Sequence, residues 1–323
     1  MLKKPNKTPY ADFKLYYAAI RTRYVEDYMA ECEYYRLLSY VNERSEIEKQ
    51  CKNGRPLFVD SGAFSAYTRG IKIDVDDYIE WLNTWSKPME KFCCWDTIPV
   101  GDIDPKDSAK ATWENYLYMY ERLNEPHKLV YCYHNGEPIE YLENAIKFGC
   151  KLIALGGIAK ATTPVRKAFF ESVKDLLEAH PEVDVHAFGM TEIGLLKEYR
   201  FIKSGDSTTW LWPLKFSEAQ FDSVSKVYFD DANPTKKHHV NNITDEQYFA
   251  IEDELKEFGF EVEDLYGKGD GNRNREVYQV IYWQKKFFII NGGYYIDNET
   301  GEKIEVDKNG RTVETNSNEQ HGV

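Results

Sequence analysis

Three aspartates, Asp60, Asp96 and Asp206, each end a short β-prone run and lead directly into turn chemistry. The clearest case is LFVDSGAF, residues 57–64, where Leu57, Phe58 and Val59 are too few for a helix and stop at an acid, a serine and a glycine. If Asp60 and Asp206 meet, they are the minimum equipment for retaining substitution at an anomeric carbon. One carboxylate attacks as an ion and forms a covalent glycosyl ester, and the other cycles a proton. The same pair of acids could hold a metal. Against that, His134, the obvious histidine at an equivalent strand end, stands beside glycines and amides rather than in a cluster of ligands.

Positioning such residues requires elements that deliver strand ends to one place. Between residues 91 and 206 the pattern of LFVDSGAF recurs: KFCCW before Asp96, KLVYCY before His134, KLIAL before Gly156, VDVHAF before Gly189 and FIKSG before Asp206. Parallel strands closed into a barrel bring the last residue of every strand to one rim, so residues far apart in sequence converge. Taken singly, each acid is better explained as the cap of the following helix; six in register are not. Residues 14–20, KLYYAAI, read as a first strand and residues 225–231, SKVYFDD, as an eighth, with helices between. The fold expected is therefore an α/β TIM-type (β/α)8 barrel over residues 1–232.

Within that span the spacing of Tyr, Leu and Val predicts one helix over residues 25–48, and further helices carry Tyr78, Leu82 and Trp85, then Trp113, Leu117, Tyr120 and Leu123. Residues 233–296 form a less regular C-terminal appendage: a helix over 245–258, the turn YGKGDGN, and the aromatic run 274–296, whose pattern fits helix and strand equally. Residues 297–323 read as a polar tail.

Composition narrows the classes. A chain of 323 residues with 42% hydrophobic content can bury one large core. It holds no run of about eighteen apolar residues, so a membrane span is not expected and a cytoplasmic protein is. The six cysteines lack zinc-type spacing and read as reduced core thiols. A net charge of −13 argues against non-specific coating of nucleic acid but leaves room for a local basic rim.

The ordered set DSGAF (60–64), WD (95–96), YHNGE (133–137), LGGIA (155–159), HAFG (186–189) and SGDSTTW (204–210) resembles the tRNA-guanine transglycosylase superfamily. It is most similar to the DpdA-type branch of phages and bacterial islands that places 7-deazaguanines in DNA. The resemblance covers roughly residues 14–230 and rests on the order of six motifs, each weak alone.

That resemblance implies Asp206 as the nucleophile at C1′ and Asp60 as the acid and base that protonates departing guanine. It implies Asp96 as acceptor for the Watson–Crick edge of the base. His134 and Asn135 are implied as polar base readers, Gly156, Gly157 and Gly189 as backbone close to the base, and Phe64 and Phe188 as the rings that sandwich it. The partners implied are DNA, with tRNA as the alternative polymer, and a free 7-deazaguanine; no cofactor is implied. The sequence departs from the family in having Ala63 where a second glycine is usual, and in lacking the C-terminal zinc site, since no cysteine follows Cys150. That loss shifts weight toward DNA.

A polymer needs cations to meet its phosphates. Arg21, Arg23, Arg69, Lys72, Lys160, Arg166, Lys203 and Lys215 fall on or just after expected strand ends, with Lys236, Lys237, Lys268, Arg273 and Arg275 as an extension. The residues themselves also admit a nucleosidase or glycoside hydrolase that uses the same two acids with water as acceptor.

Overall fold

In the computed structural model of the chain, which describes residues 1–313, strands and helices alternate over most of the length. The order begins β1 (Lys7–Ala11), β2 (Lys14–Ala18), α1 (Arg23–Glu31), β3 (Arg36–Ser39), α2 (Tyr40–Lys52), β4 (Phe58–Asp60), α3 (Ala63–Arg69) and α4 (Val75–Trp85). It continues β5 (Lys91–Cys93), α5 (Pro105–Tyr120), β6 (Leu129–His134), α6 (Ile139–Phe148), β7 (Leu152–Gly156), α7 (Thr163–Glu178), β8 (Asp184–Ala187), α8 (Ile193–Glu198) and β9 (Ile202–Ser207). Beyond these lie β10 (Glu218–Phe221), β11 (Ser225–Tyr228), α9 (Asp245–Lys256), α10 (Asp270–Asn291), β12 (Gly293–Asp297) and β13 (Lys303–Val306).

Strands β2 to β9 close into a parallel barrel, with β9 pairing back onto β2. This is the TIM-type barrel expected, and its strands are short, apolar and buried because helices cover a parallel sheet from outside. All strands run in one direction, so Asp60, His134, Gly156 and Asp206 all lie at or near C-terminal strand ends. Compact unit one of the fold comprises this barrel, residues Lys14–Ile20 and Tyr34–Ser207.

Two expectations about the staves were wrong. The helix expected over residues 25–48 is two helices, α1 and α2, with the buried strand β3 between them. Four residues, RLLS, are too few for alternation to show, and Glu33 breaks the helix with a positive φ of 54° that no glycine announces. SKVYFDD is not a stave: β11 pairs antiparallel with β10 in a separate hairpin. Asp60 is thus on the third barrel strand and Asp206 on the eighth.

The second unit comprises Met1–Phe13, Arg21–Glu33 and the residues from Thr208 onward. Its centre is α10, which answers the ambiguity of the run 274–296: the chain is helix to Asn291 and strand from Gly293. No single apolar stripe shows there because α10 buries fifteen of its 22 residues, on all sides. Its polar positions are used internally. Gln284 Oε1 accepts from Ala11 N at 3.1 Å and Gln279 Oε1 from Gln220 N at 3.1 Å, so the helix satisfies strand backbone in β1 and β10. Strands β1, β12 and β13 form an antiparallel sheet. Part of the expected polar tail is therefore structured, with Lys303–Val306 paired to β12, while residues 314–323 lie outside the described residues. Among the described residues no helix is long and apolar enough to cross a membrane, and all six cysteines are free and buried.

Candidate active site

Asp60 ends β4 where the chain must turn at once into α3. Gly62 makes that turn with φ of 79°, and a Cβ there would lie 2.6 Å from Ser39 Oγ, so only glycine fits. Its N–H donates to Asp60 Oδ2 at 3.1 Å. Burial, then the negative charges of Asp96 and Asp206, push the Asp60 carboxyl up to about 7, against the lowering pull of that N–H. The Coulombic influence of Asp206 on Asp60 is what the closed barrel achieves: two acids on β4 and β9 share one electrostatic environment.

Asp96 is buried, and each of its oxygens has a partner. Ser61 Oγ donates to its Oδ1 at 2.6 Å, and its Oδ2 lies 3.0 Å from His134 Nε2. The other nitrogen, Nδ1, lies 3.0 Å from Glu137 Oε1, while Glu137 Oε2 accepts the main-chain N–H of His134 at 2.8 Å. Ser108 Oγ is 3.0 Å from Glu137 Oε1. Burial alone would lower the basicity of His134, but hydrogen bonds to Asp96 and Glu137 and their charges outweigh it and raise it to about 10. His134 is thus held between two acidic side chains that favour its protonated form.

Asp206 is anchored differently. Its Oδ1 accepts from Gly189 N at 2.8 Å and lies 3.2 Å from His186 Nε2, whose Nδ1 is 2.9 Å from Ser204 Oγ. Ser204 and Asp206 are two apart in β9 and so share a face, and His186 is paired in register with Ser204. Burial pulls His186 below its ordinary basicity in spite of Asp206. One ring nitrogen thus faces Asp206 and the other the Ser204 hydroxyl, an arrangement that a neutral ring satisfies by donating from Nε2 and accepting at Nδ1. Asp206 Oδ2 has no hydrogen-bond partner among the described residues. Rings of Tyr16, Phe58 and Phe188 surround His186 at 5.5, 4.9 and 5.0 Å between centroids and exclude water from it.

The remaining expected residues divide. Gly156 pairs with His134 across β6 and β7, and a Cβ there would lie 2.5 Å from the imidazole, so its small size admits the ring. Gly157 and Asn135 flank the same junction, with Asn135 N donating to Gly156 O at 3.1 Å. Gly189 is spent on Asp206. Phe188 stacks at 6.1 Å on Phe58, whereas Phe64 is exposed on α3. Glu137, His186, Ser61 and Ser204 were not singled out from sequence. The signal available was period two in β9 and the presence of His186 and Glu137 inside HAFG and YHNGE.

Among the cations, Arg69 and Lys160 are exposed, and Lys160 Nζ sits 5.2 Å from the Phe64 ring centre. Lys203 is exposed, but it is the second residue of β9 and bonds Arg200 O at 3.3 Å, about 10 Å of strand behind Asp206. Arg166 braces the loop after β7 through Ile158 O and Ala159 O. Arg21 and Arg23 belong to the second unit, where Arg21 pairs with buried Glu276 at 2.9 Å and Arg23 with Asp27 at 3.5 Å. Arg275 is buried, its guanidinium donating to the carbonyls of Leu265 and Gly267, so it cannot meet a phosphate. No protein-family model matches the chain, and comparison with curated proteins finds no similar sequence.

Proposed function

We propose that the chain exchanges guanine in DNA for a free 7-deazaguanine by double displacement through a glycosyl ester on Asp206. The observation that carries this reading is the unequal treatment of two neighbouring acids. Asp206 is tied down through Oδ1 and leaves Oδ2 unengaged, as a nucleophile requires, while Asp60 is lifted to about 7, where it can both give and take a proton.

In the first half-reaction Asp206 Oδ2 bonds to C1′, the C1′–N9 bond breaks, and its electron pair leaves with guanine as Asp60 supplies the proton. In the second, Asp60 takes the ring N–H proton of the incoming base, that nitrogen bonds to C1′, and the ester bond returns its pair to Asp206. Asp96, with one partner on each oxygen, keeps further lone pairs for the N–H groups of a guanine-type edge. A paired nucleotide has to leave the stack first, which costs a few kcal/mol.

The test supplies purified protein with labelled guanine and either DNA or tRNA. Label in DNA supports the proposal; label in tRNA alone moves the substrate to RNA. Free base released with no label in either polymer makes the chain a nucleosidase or glycoside hydrolase.

A further inference from the structure

Helix α3 begins three residues after Asp60, and its amphipathicity is inverted. The residues it turns inward are the small Ala63 and Ala66, both buried, whereas Phe64, Tyr67 and, just past the cap at Gly70, Ile71 are 45, 50 and 40% exposed. A helix stabilised by packing alone would bury its rings. Phe64 and Tyr67 lie three apart and so on one side of the helix. The Tyr67 hydroxyl lies against Gly101, where a Cβ would sit 2.3 Å from it, so a glycine there leaves the ring its room.

Cations border these rings. Lys160 stands over Phe64, and Arg69 and Lys72 are exposed on the same segment. None of the three has a carboxylate partner among the described residues, in a chain of net charge −13. Exposed rings offer stacking to flat bases, and unpaired cations offer neutralisation to phosphates. A second copy of the chain fits less well. The three side chains expose on the order of 300 Å² of apolar surface, against about 800 Å² per partner in a stable protein interface.

We infer that the outward face of α3, with Lys160, docks the unpaired DNA strand flanking the reacting nucleotide, an inference that rests on the base exchange proposed above. Fluorescence anisotropy of a labelled single-stranded oligonucleotide and of the same oligonucleotide in duplex tests it. Tyr67→Ala weakens single-strand binding roughly 5- to 150-fold, Tyr67→Phe binds as wild type, and duplex binds more weakly and without regard to Tyr67. The double variant Arg69→Ala/Lys72→Ala also weakens binding and flattens its salt dependence. Asp102, exposed beside Gly101, opposes phosphate at this edge, so Asp102→Asn tightens binding.

Single-strand affinity unchanged in a Tyr67→Ala protein of wild-type thermal midpoint overturns the surface, as does equal affinity for duplex. The two proposals separate cleanly. Base exchange with Tyr67-independent binding removes only the docking surface. Tyr67-dependent binding with no exchange removes only the reading of the active site.

Discussion

His134 at the end of β6 and His186 in β8 are both buried and both hydrogen-bonded to a site aspartate, yet their basicities are shifted in opposite directions. His134 faces two acids, Asp96 and Glu137, and their combined attraction overcomes the cost of burying an imidazolium. His186 faces one acid and three aromatic rings, and burial, assisted by the positive charge of Lys91, wins. The number of carboxylates within hydrogen-bond reach decides which effect dominates. The consequence is two differently held aspartates: both Asp96 oxygens have a partner, in Ser61 and His134, whereas among the described residues Asp206 is held through Oδ1 alone.

The largest expected effect separates these roles. Asp206→Ala lowers exchange at least ~10⁴-fold, while Asp96→Asn acts mainly by raising KM for the base, with a smaller change in kcat; steady-state kinetics with labelled base reads both. Equal losses of kcat would dissolve the distinction. Next, His134→Asn leaves Asp96 and Glu137 buried without their cation and destabilises the fold by about 3–5 kcal/mol, measured by urea unfolding.

His186→Asn removes a neutral ring and its two hydrogen bonds, to Asp206 and Ser204, rather than a cation between two acids, so its stability cost is smaller, about 1–3 kcal/mol. Its effect falls chiefly on kcat, because Asp206 retains only Gly189 as anchor. A stability loss equal to that of His134→Asn would mean that the two histidines are not differently charged.

The smallest effect is the most diagnostic. His134 is raised from an ordinary value of 6.5 to about 10, so its contribution to stability is fully present below 6.5 and is lost as pH rises toward 10. His186 is lowered, so its contribution is present above 6.5 and is lost as pH falls. Thermal midpoints across pH should therefore fall less steeply on the alkaline side in His134→Asn and less steeply on the acid side in His186→Asn. The exchange rate of the wild type should decline above about pH 7, as Asp60 loses the proton that guanine needs.

Strand ends were the legible part of this protein. Runs such as KLVYCY and KLIAL stop abruptly at His134 and Gly156, and the barrel follows from their repetition. The short stave RLLS escaped because four buried residues show no period, and α10 escaped because a helix buried on every side shows none either. Lys203 and Arg21 looked like rim cations only while strand direction and partner were unknown; one starts its strand and the other answers a buried glutamate.

By itself the sequence determined most of the strand ends, that those strands run parallel in a helix-covered barrel, and that Asp60, Asp96 and Asp206 follow such ends; it missed the stave RLLS and took SKVYFDD for one. Apolar runs and glycine turns are local properties, and local properties are written along the chain. Only the tertiary structure decided what each acid has for company. Asp96 meets His134 and Glu137, and Asp206 meets His186 and the Gly189 amide, through pairings between different strands and loops. Charge state follows from how much water is excluded and how many opposite charges lie within a few ångströms, and that neighbourhood exists only once the barrel has closed.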